Sequence, residues 1–170
     1  MEPLLMTLAL LAIVSYLLKI GFWSWKWQLA MAAVAAVVVF LLTPQVTELS
    51  RDALSQMTSA RPVLLNLAVL AVAESALMMA WCFTGRRLFY CYPGLLALGA
   101  FSYFQAQLLF RQPGIDFSLA AWLSALGVAL LSVGGSRLLG WALGPRAFRQ
   151  ELLFIVNLLI VLLCVVLTGF

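Results

Sequence analysis

Six apolar runs divide the sequence, each about as long as a helix needs to cross a membrane. They cover residues 3–20, 23–43, 62–84, 88–110, 117–140 and 151–169. A membrane-spanning helix takes about 20 apolar residues, and Gly, Pro and charged residues mark most of the connections between these runs. Only 9% of the residues are charged, whereas soluble domains carry about 25%. The pattern predicts an all-α fold: a polytopic membrane helical bundle of six transmembrane helices, with residues 1–170 forming one domain.

The basic residues predict how the bundle is oriented. Seven of them belong to one side: Lys19, Lys26, Arg86, Arg87, Arg137, Arg146 and Arg149. Only three belong to the other side: Arg51, Arg61 and Arg111. Cytoplasmic segments are enriched in Lys and Arg, so the side with seven is predicted to face the cytoplasm. Both termini are then predicted to lie outside.

The longest connection, residues 44–61, is predicted to carry structure of its own. Thr43 is a suitable helix cap with Pro44 at the first helical position. In the residues that follow, the apolar side chains fall on one helical face and the polar side chains elsewhere, which predicts an amphipathic helix. This helix either lies on the outer surface or extends the second run. It is either a simple surface cap or a site of contact with a partner. Four charged residues are the candidates for an outer-surface contact: Glu48, Arg51, Asp52 and, from a later connection, Asp116.

Glu74 is an acidic residue near the middle of the third run. A charge at that depth costs about 3 kcal/mol on insertion scales, so it usually marks a function or a buried partner. One interpretation is a carboxylate that binds protons or couples ions. The other is a structural group that pairs with another subunit or inside the bundle, with Tyr103, Gln105 or Asn157. Asn66, two turns earlier on the same face, and Gln107 complete the set of candidate intramembrane polar residues.

Several classes of function lack their usual residues. The chain has no histidine, no Cys-x-x-Cys spacing and no phosphate-binding GxxxxGK[ST] motif. Its 10 Lys and Arg form no run that would suit a nucleic acid. The chain is therefore predicted not to be an enzyme, and to bind no metal, cofactor or nucleic acid. The doublet Gly134-Gly135 in the fifth run predicts a site of close packing or kinking.

One stretch resembles a known group of proteins. The residues 91-CYPGLLALGAFSYFQAQLLFRQPGIDFSLAAW-122, the preceding LLNLAVLAVAESAL and the final RQELLFIVNLLIVLL are similar to small bacterial membrane proteins. Those proteins are encoded beside MotA/TolQ/ExbB-type proton-channel proteins and TonB-dependent uptake loci, including loci for haem. The resemblance covers roughly residues 60–165. It implies a non-catalytic accessory subunit of a proton-motive-force-driven, ExbB/ExbD-like motor of the inner membrane. Such a subunit supports nutrient uptake in a hetero-oligomer with ExbB-like and ExbD-like proteins.

Two other functions stay open on the residues alone. Six helices in so short a chain also resemble the solute-binding subunits of energy-coupling-factor transporters. In that case Tyr103, Gln105, Gln107, Asp116 and Trp122 are expected to converge near the outer surface. The third possibility is a homo-oligomeric channel, in which one Glu74 from each subunit forms a ring at the midplane.

Overall fold

The computed structural model describes residues 2–48, 56, 60–85, 94–111 and 116–169, and every regular element within these ranges is helical. The all-α prediction is therefore confirmed. The helices are α1 (Glu2–Ile20), α2 (Trp25–Glu48), α3 (Arg61–Thr84), α4 (Leu95–Arg111), α5 (Phe117–Leu130), α6 (Ser136–Ala142) and α7 (Arg146–Gly169). A π-helical turn, Leu131–Gly135, joins α5 to α6, and the three form one continuous rod.

The described helices match the apolar runs and have the character of membrane helices. Five stretches are long and apolar enough to cross a membrane: α1, α2, α3, the α5–α6 rod and α7. Their outward side chains are large and apolar, with Val69, Leu130 and Leu138 each about two-thirds exposed. A surface of this kind suits lipid rather than water.

The first helix is the centre of the bundle. In its apolar stretch 61% of the residues are buried, against 17–33% in the other four long stretches. It packs against α4, α6 and α7, while α2 packs against α4 and α5. The pair α3 and α7 makes the most extensive contact in the structure. The core therefore surrounds α1.

The contact between α3 and α7 follows from the spacing of its residues. The buried positions of α3 are Leu64, Ala68, Ala71, Ser75, Met78 and Trp81, and those of α7 include Leu153, Asn157, Ile160, Cys164 and Leu167. Both sets advance in steps of three or four residues, which places them on one face of a helix. Small residues on α3 let the two backbones approach closely.

The fourth helix is shorter than its apolar run. It begins at Leu95 rather than near residue 88, after Gly94, whose φ of 80° is incompatible with a right-handed helix. Its 17 residues span about 25 Å at 1.5 Å per residue, less than a hydrocarbon core of about 30 Å. Because α4 begins at Leu95, its first backbone N–H groups lie within reach of Glu74.

The second helix does not end where the capping residues predicted. It runs through Pro44 to Glu48, so the segment after residue 43 begins as an extension of α2. The Thr43 hydroxyl donates to the Val39 carbonyl at 3.0 Å within the helix, and the prediction of a cap at Thr43 was wrong. Of the remainder of the predicted amphipathic segment, Gln56, Ala60 and Arg61 are among the described residues, and the others lie outside them.

Candidate functional site

The carboxylate of Glu74 lies at the first turn of α4. Its Oε2 accepts a hydrogen bond of 2.9 Å from the backbone N–H of Leu96. The first N–H groups of a helix have no partner within it, and the helix dipole makes that end positive, so a carboxylate stabilises it. Glu74 stands ten residues before α3 ends at Thr84, or about 15 Å along the axis. The start of α4 therefore lies inside the bundle.

Two side chains of α1 complete this arrangement. Lys19 is 4% exposed, and it lies near enough for its charge to act on Glu74. Tyr16 covers Gly94: a Cβ built on this glycine would lie 3.3 Å from Cδ2 of Tyr16 and 3.4 Å from Oε1 of Glu74. We call Tyr16, Lys19, Glu74, Gly94 and the N–H of Leu96 the Glu74 site.

The π-helical turn borders this site. The Tyr16 hydroxyl is buried beside that of Ser132, but it makes no hydrogen bond of ordinary geometry to any described residue. The Ser132 hydroxyl donates instead to the Val128 carbonyl at 2.7 Å. Gly135 allows the close packing predicted for the glycine doublet, because a Cβ there would lie 3.1 Å from Cδ1 of Leu17. π-Helical turns within α-helices occur frequently at functional sites.

Asn157 forms a separate polar contact. Its Nδ2 donates to the Leu153 carbonyl at 2.7 Å and lies 3.1 Å from the Ser15 hydroxyl of α1. Asn157 is 1% exposed, so this amide ties α7 to α1 inside the core. Hydrogen bonds of this kind between membrane helices contribute about 0.6 kcal/mol on average.

Gln105 is the centre of a third polar group. Its Nε2 donates to Oγ1 of Thr43 on α2 at 2.7 Å and to Oγ of Ser124 on α5 at 2.8 Å. The side chain is 4% exposed, and its Oε1 is buried without a hydrogen-bond partner among the described residues. The amide thus joins three helices and leaves one acceptor unused.

The structure separates the residues that were predicted to act together. Glu74 makes its hydrogen bond to the α4 backbone, and the described hydrogen bonds of Gln105 and Asn157 go to other partners. Tyr103 accepts a hydrogen bond of 3.3 Å from Gln107 one turn later. Asn66 is exposed on the surface of α3. The prediction that one of these side chains pairs with Glu74 was therefore wrong.

The outer solute site expected from the sequence does not assemble as predicted. Tyr103 and Gln107 share one face of α4, whereas Gln105 points to the opposite face, because side chains two residues apart on a helix diverge. Trp122 packs against Phe40, with ring centroids 5.1 Å apart. Asp116 is exposed at the start of α5.

The charged outer-surface candidates have different outcomes. Asp116 accepts a hydrogen bond of 3.2 Å from the Ser118 hydroxyl. Glu48 ends α2, and Arg51 and Asp52 lie outside the described residues. Their contact with a partner stays a prediction.

Sequence reasoning missed Lys19 and Tyr16. Lys19 is the last charge before the end of the first run, where a long basic side chain normally reaches the interface, so it was assigned to the cytoplasmic side. The available signal was the polar spacing Ser15, Tyr16 and Lys19, which places three polar groups within about one turn of an apolar helix.

The described residues contain no group of three His, Cys, Asp or Glu side chains that could hold a metal ion. The Glu74 site can hold one carboxylate at the start of a helix, with a buried ammonium near enough to attract it. No family model, curated protein or solved structure matches this chain.

Proposed function

We propose that this chain is a non-catalytic subunit of a membrane complex and that Glu74 is part of its internal framework. The observation that carries this proposal is the hydrogen bond between Glu74 and the first turn of α4. The carboxylate accepts a hydrogen bond where a short helix begins, and the charge of Lys19 attracts it. A group held in this way supports a structural role better than an exchange of ions with the surroundings.

For the partners, we propose ExbB-like and ExbD-like proteins of a proton-motive-force-driven complex in the bacterial inner membrane. The support is the resemblance of residues 60–165 and the apolar exposed faces of the described helices. A chain with this surface acts on other proteins mainly through contacts within the bilayer.

Purification of the tagged protein from its native membrane in mild detergent tests this proposal. We expect ExbB-like and ExbD-like chains to be identified by mass spectrometry, and Glu74→Gln to retain them. An unrelated six-helix membrane protein, tagged and expressed to the same level, is the control. Recovery of ATPases with a coupling protein, or of this chain alone, would contradict the proposal.

A solute-binding subunit is the second candidate. The observation that favours it is a groove of about 610 Å³ between α1, α4 and α5, bordered by Gln105. The position of Glu74 gives the channel hypothesis no support, because its hydrogen bond and its nearby cation both belong to the same chain.

The proposed orientation places both termini in the periplasm. Its support is a group of cations at one end of the bundle, where α1 ends and α7 begins. The guanidinium of Arg137 lies 4.1 Å from the Trp25 ring centroid, and those of Arg146 and Arg149 lie 5.7 and 5.2 Å from that of Phe22. Lys and Arg are enriched on the cytoplasmic side of a membrane, whereas aromatic rings are typical of both interfaces. Arg86 and Arg87 lie outside the described residues.

Cysteine labelling tests the orientation. Ser24 and Ser118 are both exposed, near opposite ends of the bundle, and each is replaced by Cys in a chain lacking Cys82, Cys91 and Cys164. We expect a membrane-impermeant maleimide to label Ser118→Cys in intact spheroplasts and Ser24→Cys only after lysis. The reverse result would invert the topology.

A further inference from the structure

A large groove lies between α1, α4 and α5. Its volume of about 610 Å³ is within the range of small-molecule sites. The walls are almost entirely apolar, with Ile13 from α1, Phe101 and Leu108 from α4, and Leu123 from α5. The lining residues include Gln105 and Ser124 as polar groups and no charged side chain. The groove therefore suits an uncharged, largely apolar molecule.

The hydrogen bonds around Gln105 fix which way its amide points. The Thr43 hydroxyl donates to Val39, and the Ser124 hydroxyl donates to the Ala121 carbonyl at 3.0 Å. With their protons engaged, both hydroxyls can only accept, so they face the NH₂ group of Gln105. The atom left over is therefore the carbonyl oxygen, Oε1, for which the described part of the chain offers no hydrogen-bond partner.

An unpaired buried carbonyl costs about 1–3 kcal/mol. A water molecule is a poor hydrogen-bond donor for this oxygen, because a buried water needs two to four polar partners and the groove wall is almost entirely apolar. A single hydroxyl attached to an apolar body meets both requirements: its O–H donates to Oε1, and its chain fills the groove.

We infer that the groove binds a membrane-soluble amphiphile with a long apolar chain and one hydroxyl group, which donates to Oε1 of Gln105. That oxygen is buried, so binding requires a neighbouring side chain to change rotamer, as is common at binding sites, while the Gln105 amide keeps its hydrogen bonds to Thr43 and Ser124. This inference does not rest on the proposed partners. A chain that assembles with a motor and one that acts alone present the same groove.

Photocrosslinking tests the inference. The full chain is reconstituted in liposomes of phosphatidylethanolamine and phosphatidylglycerol with a diazirine-bearing 1-hexadecanol, and labelled peptides are identified by mass spectrometry. Unlabelled 1-hexadecanol competes against its methyl ether, which has the same chain but no donor. We expect labelling of α4 and α5, and competition by the alcohol at about tenfold lower concentration, the effect of one net hydrogen bond.

Matched variants separate the two parts of the site. Gln105→Leu should make the alcohol and the ether compete equally, while Gln107→Leu, on the same helix but outside the groove, should leave the difference intact. Gly127 lines the groove, and a Cβ there meets nothing within 4 Å, so Gly127→Leu should fill the space and reduce labelling at least fivefold. Gly99 is equally open but lines a second groove of about 310 Å³, so Gly99→Leu is the control.

Two results would overturn the inference. Equal competition by the alcohol and the ether in the unaltered chain would remove the role of Oε1. Labelling that persists in Gly127→Leu would mean that the probe reports general contact with lipid. Neither result depends on whether Gln105→Leu folds, and neither depends on which proteins are purified with the chain.

Discussion

Glu74→Leu is expected to lower the free energy of unfolding by about 3 kcal/mol. The substitution removes the acceptor of the Leu96 N–H, which belongs to a buried residue, and it removes the negative charge that attracts the buried Lys19 ammonium. Both losses fall on the same helix junction. Titration of the purified protein with SDS in mixed micelles measures the change.

Glu74→Gln separates a structural from a proton-handling role. The amide oxygen keeps an acceptor for Leu96 but carries no charge, so we expect a cost of about 1 kcal/mol and unchanged recovery of partners. If Glu74 exchanges protons during function, the same variant should assemble normally and lose activity. That outcome would contradict the structural role proposed for this carboxylate.

Two further variants control the Glu74→Leu experiment. Asn66→Leu removes an exposed polar group from the same helix and should change stability by no more than about 0.5 kcal/mol. In the Glu74→Leu background, Lys19→Met should cost less than in the unaltered chain, because the attraction between the two charges is already lost. Additive effects of Lys19 and Glu74 in this double-mutant cycle would show that the two groups are not coupled.

The helices were predictable because each apolar run is long and its connections are short. Burial of apolar surface in a bilayer depends mainly on local composition, and local composition can be read from one sequence. The beginning of α4 was not predictable in the same way. Residues 88–110 are mostly apolar and read as one run, although they contain Pro93-Gly94, a dipeptide typical of turns. The backbone conformation of Gly94 then shows that the helix begins at Leu95.

The polar contacts were the least predictable part of the candidate site. Glu74 stood out because a carboxylate is costly in an apolar run, but its partner is a backbone N–H, and every non-proline residue has one. The amide of Gln105 donates to the hydroxyl of Thr43, which lies 62 residues earlier in the sequence. Such pairs depend on which helices become neighbours, and no periodicity within a single helix reveals that.

Gly94→Ala, at the glycine of the Glu74 site, is expected to lower the free energy of unfolding. At φ 80° a side chain is strained by about 1–2 kcal/mol, and the new Cβ also crowds Tyr16 and the Glu74 carboxylate. We expect a total loss of about 2–4 kcal/mol, the excess coming from overpacking. SDS titration of the variant measures the loss.

Gly85→Ala is the matched control for that variant. Gly85 ends α3 with a φ of 63°, so alanine meets a similar backbone strain, but nothing lies within 4 Å of its Cβ. The difference between the two variants therefore isolates the crowding at the Glu74 site, and we expect it to be about 1 kcal/mol or more. Tyr16→Leu should reduce the cost of Gly94→Ala, because the shorter side chain vacates the position of Cδ2. Equal losses in Gly94→Ala and Gly85→Ala would mean that Tyr16 and Glu74 do not constrain the start of α4.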